Sequence, residues 1–329
     1  MNSNKLYFKI TNEKENHNGF QYYDGLNILK EKFNDDPTAS CVRGGFYFTD
    51  VEHIFGFLSY GIYLREVILP ADDPEFKMVQ DKNDKWRANK IFLGKKYNLS
   101  DVSTFEYLID RGADIHTYND CALSWVSRNG YLEIVKFLIS KGADIHAKNN
   151  CALKLASQNN HLEVVKFLIY KGADICAKNN YALELASDGG HLEVVKYLIS
   201  KGANVHTNND YALRWAFEGG HLEVIKFLIL NGADVHADNN FALKCASENG
   251  YLEIVQLLIS NGADIHTDND YALRLASEYG HLEVVKFLIS KGADIHASNG
   301  YAIRWASKRG HTEVVNYLAE HNINTQKID

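Results

Sequence analysis

The sequence predicts a mainly α solenoid of stacked helix pairs behind a small α+β N-terminal domain, and three observations carry this expectation. Gly112, Gly142, Gly172, Gly202, Gly232, Gly262 and Gly292 stand 30 residues apart, each followed by Ala and then Asp or Asn. Glu133, Glu163, Glu193, Glu223, Glu253, Glu283 and Glu313 form a second ladder of the same period. The composition changes near residue 90, because Pro37, Pro70, Pro74 and most phenylalanines precede the ladders. Self-similarity at a fixed period marks an architecture in which each unit buries its apolar face only against its neighbours.

The leading residues come first. Leu26, Leu29 and Phe33 are spaced as on a helix from Asp24 to Phe33. Phe46-Tyr47-Phe48 reads as a strand, with Thr49 and Glu52 as a capping box opening a helix from Asp50 to Tyr60. Ile62 to Leu69 is a second strand, closed by Pro70. A domain of this size can sustain a core of its own. The expected divisions are residues 1–90, a degenerate capping repeat at 91–120, seven repeats at 121–319 and a polar tail at 320–329.

One unit shows how the array is built. Asn150 is placed to cap a first helix, on which Ala152, Leu153, Leu155 and Ala156 allow close packing. Asn159-Asn160 interrupts the chain, and His161-Leu162-Glu163 opens a second helix whose acidic residue complements the helix dipole. Leu162, Val165, Leu168 and Ile169 give it an apolar stripe. Gly172 falls where the helix end requires positive φ. The units begin at Cys121, Cys151, Tyr181, Tyr211, Phe241, Tyr271 and Tyr301, and Phe105–Ile115 resembles a second helix and its turn. Thr312, Asn316 and Ala319 replace the usual Leu, Lys and Ile, as suits a capping unit facing water.

The run Gly190-His191-Leu192-Glu193-Val194-Val195-Lys196-Tyr197-Leu198-Ile199, followed by Lys201-Gly202-Ala203-Asn204-Val205, closely resembles the ankyrin repeat. The resemblance covers about two thirds of the chain and implies a β-turn and two antiparallel helices per unit, stacked to bind protein partners. Tetrads such as Cys151-Ala152-Leu153-Lys154 and Tyr211-Ala212-Leu213-Arg214 replace the family's Thr-Pro-Leu-His, and each unit is shorter than the usual one of about 33 residues. The missing residues fall in the hairpin finger, so the fingers are expected to be truncated, with Asn150 and Asp210 as caps. Gly45-Phe46-Tyr47-Phe48-Thr49-Asp50, Tyr60–Val67 and Lys85–Lys90 resemble the leading region of ankyrin proteins encoded by giant DNA viruses of the Mimivirus type. That resemblance implies a viral protein in the cytoplasm of an infected cell. The order Leu6-Tyr7, Gly45–Thr49, then Arg65-Glu66-Val67 is also similar to ADP-ribosyltransferase-like folds, but Phe8 stands where their dinucleotide-gripping His or Arg would be.

Several function classes are disfavoured by composition. With 35 basic and 42 acidic residues the net charge is −7, whereas a general nucleic-acid binder needs surplus cations. The leading residues lack the apolar core of a signal peptide, and no apolar run reaches the roughly 20 residues that span a bilayer. Five cysteines (Cys41, Cys121, Cys151, Cys176, Cys245) without a CxxC pair fit a reduced compartment. Eleven histidines lie in two ladders, one with His116, His146, His206, His236, His266 and His296, the other with His161, His191, His221, His281 and His311. Equivalent residues on stacked helices stand about 8–10 Å apart, too far to converge on one metal. Hydrogen bonding is the expected role, with no metal and no cofactor. Trp125, Trp215 and Trp305 share a position with leucines, which indicates packing beside the first helix.

The expected binding residues are those that vary from unit to unit on the first helix. They are Lys154, Glu184, Arg214, Lys244, Arg274 and Arg304 at one position, and Arg128, Asp188, Glu218, Glu248 and Glu278 at another. The predicted function is a non-enzymatic, monomeric scaffold for a host or viral protein, with neither nucleic acid nor membrane as partner. Two alternatives are a ubiquitin-ligase substrate adaptor, although neither terminus shows an F-box-like helix, and an inactive transferase-like N-terminal domain.

Overall fold

The computed structural model describes residues 5–17, 19–39, 42–81 and 84–325, which form two compact units. The first comprises the N-terminal domain and the chain to Ala156, with Glu163–Ala173; the second comprises Ser157–Leu162 and the chain from Asp174 onward.

The N-terminal domain is built on an antiparallel sheet. Its strands are β1 (Tyr7–Thr11), β4 (Gly25–Ile28), β5 (Phe46–Asp50), β6 (Tyr63–Ile68), β7 (Met78–Asp81), β8 (Lys85–Ala88) and β9 (Lys90–Asn98), in the order β4-β9-β6-β1-β5-β8-β7. The strands β2 (Asn16–His17) and β3 (Phe20–Gln21) pair as a second small sheet, from which Phe20 packs on Phe46 at 4.6 Å. Period-two alternation sends Phe46, Phe48, Trp86, Ala88, Ile91 and Leu93 to one core. The buried Arg87 side chain donates to the carbonyls of Asn34, Asp36 and Ala39, so it fixes residues 34–39, which lie outside helices and strands. Arg65, equally buried, pairs with Glu15 and Asp24.

Four local expectations are corrected here. Gly25–Ile28 is strand β4, held in register against β9 from Gly25↔Leu93 to Ile28↔Lys90, in place of a helix over Asp24–Phe33. Sheet pairing supplies backbone partners that an isolated turn of helix would lack. Thr49 does not cap a helix, because its hydroxyl donates to the Asp84 carbonyl at 2.6 Å. The helix there is a short 3₁₀ helix over Ile54–Tyr60. Residues 91–98, expected within a degenerate capping repeat, belong to the strand β9.

Only the second helix of that expected capping repeat is present, as α1 (Val102–Ile109). The 3₁₀ helix of the N-terminal domain packs where a first helix would be needed. Phe55 stacks on Phe105 at 5.6 Å, the Glu52 carbonyl accepts from the Asp114 amide and the Thr117 hydroxyl, and the Cys121 thiol donates to the Phe55 carbonyl. Sheet domain and first repeat therefore share one core.

The repeats use α2 (Thr117–Arg128), α4 (Ala147–Gln158), α6 (Ala177–Asp188), α8 (Tyr211–Glu218), α10 (Ala237–Glu248), α12 (Thr267–Glu278) and α14 (Ala297–Arg309) as first helices. Their second helices are α3 (Leu132–Ser140), α5 (Leu162–Tyr170), α7 (Leu192–Ser200), α9 (Leu222–Leu230), α11 (Leu252–Ser260), α13 (Leu282–Ser290) and α15 (Thr312–Thr325). In the second unit first helices stack on first helices and second on second. The expected tail at 320–329 begins as helix, since α15 runs to Thr325; residues 326–329 lie outside the described residues, as does Cys41. Glycines 112 to 292 of the ladder have φ between +91° and +102°.

The truncated finger has a definite form. Tyr118-Asn119-Asp120, Lys148-Asn149-Asn150, Asn208-Asn209-Asp210 and Asp268-Asn269-Asp270 each hold three consecutive residues at positive φ, between 49° and 59°. Asn and Asp tolerate this left-handed region better than other side chains because they bond locally to the backbone. One left-handed turn thus replaces a hairpin. Asp210, expected as a cap, makes no side-chain cap bond. Its oxygen instead accepts the Asp234 amide 24 residues on, as Asp120 accepts from Asp144, Asp270 from Asp294 and, at the equivalent position of another repeat, Asn180 from Asn204.

Candidate partner-binding face

The first helices of the second unit present a surface whose residues fall at 30-residue intervals. Tyr211, Phe241, Tyr271 and Tyr301 open successive units, and Arg214, Lys244 and Arg274 follow three residues later, one turn along the same face. Stacking interleaves the two sets. The Arg214 guanidinium lies 4.9 Å from the Phe241 ring centre, Lys244 lies 5.7 Å from Tyr271, and Arg274 lies 4.9 Å from Tyr271 and 4.3 Å from Tyr301. Each cation bridges toward the aromatic ring of the next unit. Such contacts contribute about 0.5–1 kcal/mol each at exposed sites, and they hold the long cationic stems extended.

Hydrogen bonds fix the same side chains further. Arg214 Nε donates to Glu218 at 3.1 Å, Lys244 pairs with Asp268, and Arg274 donates to the Asp268 carbonyl at 3.2 Å. Beside the start of this ladder is a recess of about 320 Å³ whose walls include Asn208, Tyr211, Arg214, Phe217 and Phe241.

The remaining expected residues distribute unevenly. Arg304 is exposed and donates to the Ser298 carbonyl at 3.1 Å; Arg128 is exposed in the first unit, where Lys154 donates to the Lys148 carbonyl at 3.2 Å. Glu184 is only 5% exposed and accepts from Asn208 at 2.7 Å. Burial raises its pKa, with the Asn208 bond opposing. Glu218, Asp188 and Glu248 follow at the C-terminal ends of their first helices, and Glu278 takes the Arg309 guanidinium and the Tyr301 hydroxyl. Burial opposes ionisation of Glu278, but these two donors hold its pKa below the usual carboxylate range. Sequence reasoning used the tetrad aromatics only to count units. Their i, i+3 spacing to the cations was the available signal that both share one face.

Both histidine ladders serve as hydrogen-bonding rungs. In the first, backbone amides of His116, His146, His206, His236, His266 and His296 donate to the Asp or Asn two residues before. Rings of the same ladder meet the triplet side chains, as in His266 to Asp270 at 3.0 Å. In the second, Nε2 of His191, His221, His281 and His311 donates to a carbonyl 33 residues earlier, at 2.6–2.9 Å. Burial pushes the thiols of Cys121 and Cys245 up to about 11 and about 12, which makes them poor nucleophiles. Trp215 is 37% exposed and Trp305 stacks on Tyr301 at 5.4 Å.

In the sheet domain, Phe8 is 1% exposed, edge-on to Tyr107, and Glu66 accepts the hydroxyls of Tyr97 and Tyr107. Phe8 offers no polar atom with which to grip a dinucleotide.

Short helix pairs joined by glycine turns, with a first-helix face that continues from repeat to repeat within the second unit, define an α-helical repeat array of the kind that presents a surface to other macromolecules. The sequence signature of ankyrin repeats (three copies) matches residues 96–179, 183–269 and 243–329, so the chain belongs to the ankyrin-repeat family. Similar proteins are found in Acanthamoeba polyphaga mimivirus. Ankyrin repeat protein R868 is 55% identical over 135 residues, covering 41% of this chain and 66% of that protein. Uncharacterized protein R869 is 55% identical over 131 residues, covering 40% and 95% respectively. Ankyrin repeat protein R229 is 46% identical over 146 residues, covering 41% of this chain and 47% of its own length. The chain thus spans about two thirds, nearly all and about half of these relatives. Among the described residues no helix is long and apolar enough to cross a membrane.

Proposed function

We propose that the first-helix face of this ankyrin array captures a host or viral protein, acting as a non-enzymatic, monomeric scaffold in the cytoplasm of an infected cell. The observation that carries this reading is the alternating ladder of Tyr211, Arg214, Phe241, Lys244, Tyr271, Arg274 and Tyr301. Aromatic residues and Arg supply most of the energy at protein interfaces. Here they are extended by ring contacts across successive units, so little side-chain freedom is left to lose on binding. The expected acidic members Asp188, Glu218, Glu248 and Glu278 line the neighbouring turn and limit the partner to one whose charge matches both rows. Arg128, Lys154 and Arg304 extend the same reading to other first helices. Glu184 acts through Asn208, by ordering the turn beside the ladder.

The test is affinity capture by the full chain and by the triple variant Arg214→Glu, Lys244→Glu, Arg274→Glu, with circular dichroism to verify folding. Loss of a protein that the unaltered chain retains supports the reading. Undiminished capture by a folded triple variant refutes it. Co-capture of ubiquitin-ligase subunits through the N-terminal domain would instead favour an adaptor.

A further inference from the structure

The sheet domain contains a cavity that the scaffold reading leaves unused. β1 and β5 pair only at Tyr7↔Asp50 and Phe8↔Thr49, while β1 remains paired with β6 through Thr11↔Tyr63. Beyond Phe8 the two strands part, and a cavity of about 310 Å³ occupies the opening. Phe8, Ile10, Phe48, Phe57 and Tyr60 give it apolar walls.

One side chain in its wall is out of keeping with that surface. Lys9 is 6% exposed; its Nζ donates to the Tyr47 carbonyl at 2.9 Å and lies 4.6 Å from the Tyr22 ring centre. Among the described residues no carboxylate pairs with it. Lys85 and His17 also line the cavity, and its lining includes no acidic residue. A buried amine without a counter-ion, beside an open apolar cavity, is the arrangement that makes lysine a nucleophile.

We propose that this cavity captures small aromatic aldehydes bearing an anionic substituent, with Lys9 as the covalent nucleophile. The neutral amine attacks the carbonyl carbon, the C=O π pair moves to oxygen, and a proton passes from nitrogen to that oxygen, giving a carbinolamine. That adduct loses the hydroxyl and a nitrogen-bound proton as water, leaving a C=N imine, with no oxidant or reductant consumed. The rings of Phe48, Tyr47 and Tyr60 suit a planar aromatic body, and the positive charge of Lys85, which Asp81 at 3.9 Å offsets in part, favours an anionic substituent. Burial supports the same chemistry, lowering the Lys9 pKa from 10.5 to about 7. About half of the Lys9 amines are then neutral at pH 7, against well under a hundredth of those on an ordinary exposed lysine.

Pyridoxal 5′-phosphate, added below one equivalent to the full chain and trapped by borohydride, tests this through peptide mapping between pH 6 and pH 10. Labelling at Lys9 is expected to exceed that at exposed Lys136 and Lys196 by about ten-fold at pH 7. It should level off above pH 7, and Lys9→Arg should lower the imine absorbance at pH 7 to what the exposed lysines give. Label confined to exposed lysines, or a Lys9 rate that climbs steadily to pH 10, overturns the proposal. The pH profile of the unaltered chain decides the matter even where the variant misfolds.

Discussion

At the scale of single residues, the buried Asp that ends a left-handed triplet ties one repeat to the next, as Asp120, Asp210 and Asp270 do. Asp270 accepts the Asp294 amide of the following unit at 3.1 Å and meets the His266 ring at 3.0 Å. Truncating it leaves the Asp294 amide without this acceptor, while the largely exposed His266 ring turns to water. Asp270→Ala should therefore destabilise the second unit by about 1 kcal/mol, the usual net worth of one such hydrogen bond. Urea unfolding followed by circular dichroism reads this out; an unchanged midpoint would remove the cross-unit bond from the account. The bond partners are 24 residues apart, so no local pattern predicts them. An Asn before a helix reads as a cap in sequence, and only the positive φ of Asn150 and Asp210 rules out that geometry.

At the scale of elements, the turn between the two helices is tuned to the histidine of the next unit. A Cβ on Gly250 would lie 2.4 Å from Nδ1 of His281, and Gly250 has φ +73°. Gly250→Ala should cost about 2 kcal/mol or more through left-handed strain and overpacking together. Adding His281→Ala should recover the overpacking part, and a cycle of thermal melts separates the two contributions. Additive losses would show that ring and turn do not compete for space.

The 3₁₀ helix offers a pH-dependent counterpart. Burial pulls the His53 pKa down, but the Asp50 carboxylate at 2.7 Å, with Asp84 and Glu52, raises it above its ordinary value. A raised folded pKa means that this stabilisation is fully present below about pH 6.5 and fades as pH rises through the folded value. Hydrogen exchange at the amides of Ile54 to Leu58, corrected for intrinsic rate, should accelerate from pH 6 to pH 8. His53→Gln should abolish that trend, and a trend that persists in the variant assigns it elsewhere.

At the scale of the whole chain, two compact units divide the work. The first joins a seven-stranded sheet to the opening repeats through the Phe55–Phe105 stack, so the sheet domain covers the end of the array that would otherwise expose apolar surface. The second carries the aromatic–cation ladder. Because the ladder spans several repeats, binding energy is spread along it. Reversing Arg214 alone should weaken capture in part, by about 1–2 kcal/mol, and the triple reversal should abolish it. Titration of the identified partner against each variant measures this, and equal loss from one and three reversals would place the contact at a single anchor.

What the sequence determined by itself was the array. Seven glycines and seven glutamates in register leave little freedom, because a helix pair too short to stand alone must stack, and the spacing of Leu, Val and Ile states which faces meet. The ankyrin resemblance rested on those same repeats, and the Mimivirus-type one on strings of the leading region, Gly45–Asp50, Tyr60–Val67 and Lys85–Lys90. Tertiary structure decided what the charges and the leading segment do. Glu184 and Lys244 read identically as surface charges, yet Asn208 and Asp268 from the next unit engage them. Lys90–Asn98 and Gly25–Ile28 became strands because β6 and β9 supply their backbone partners from across the domain. Local spacing specifies an element when its partners lie within one repeat. Where the partner lies tens of residues away, only the folded chain brings the two together.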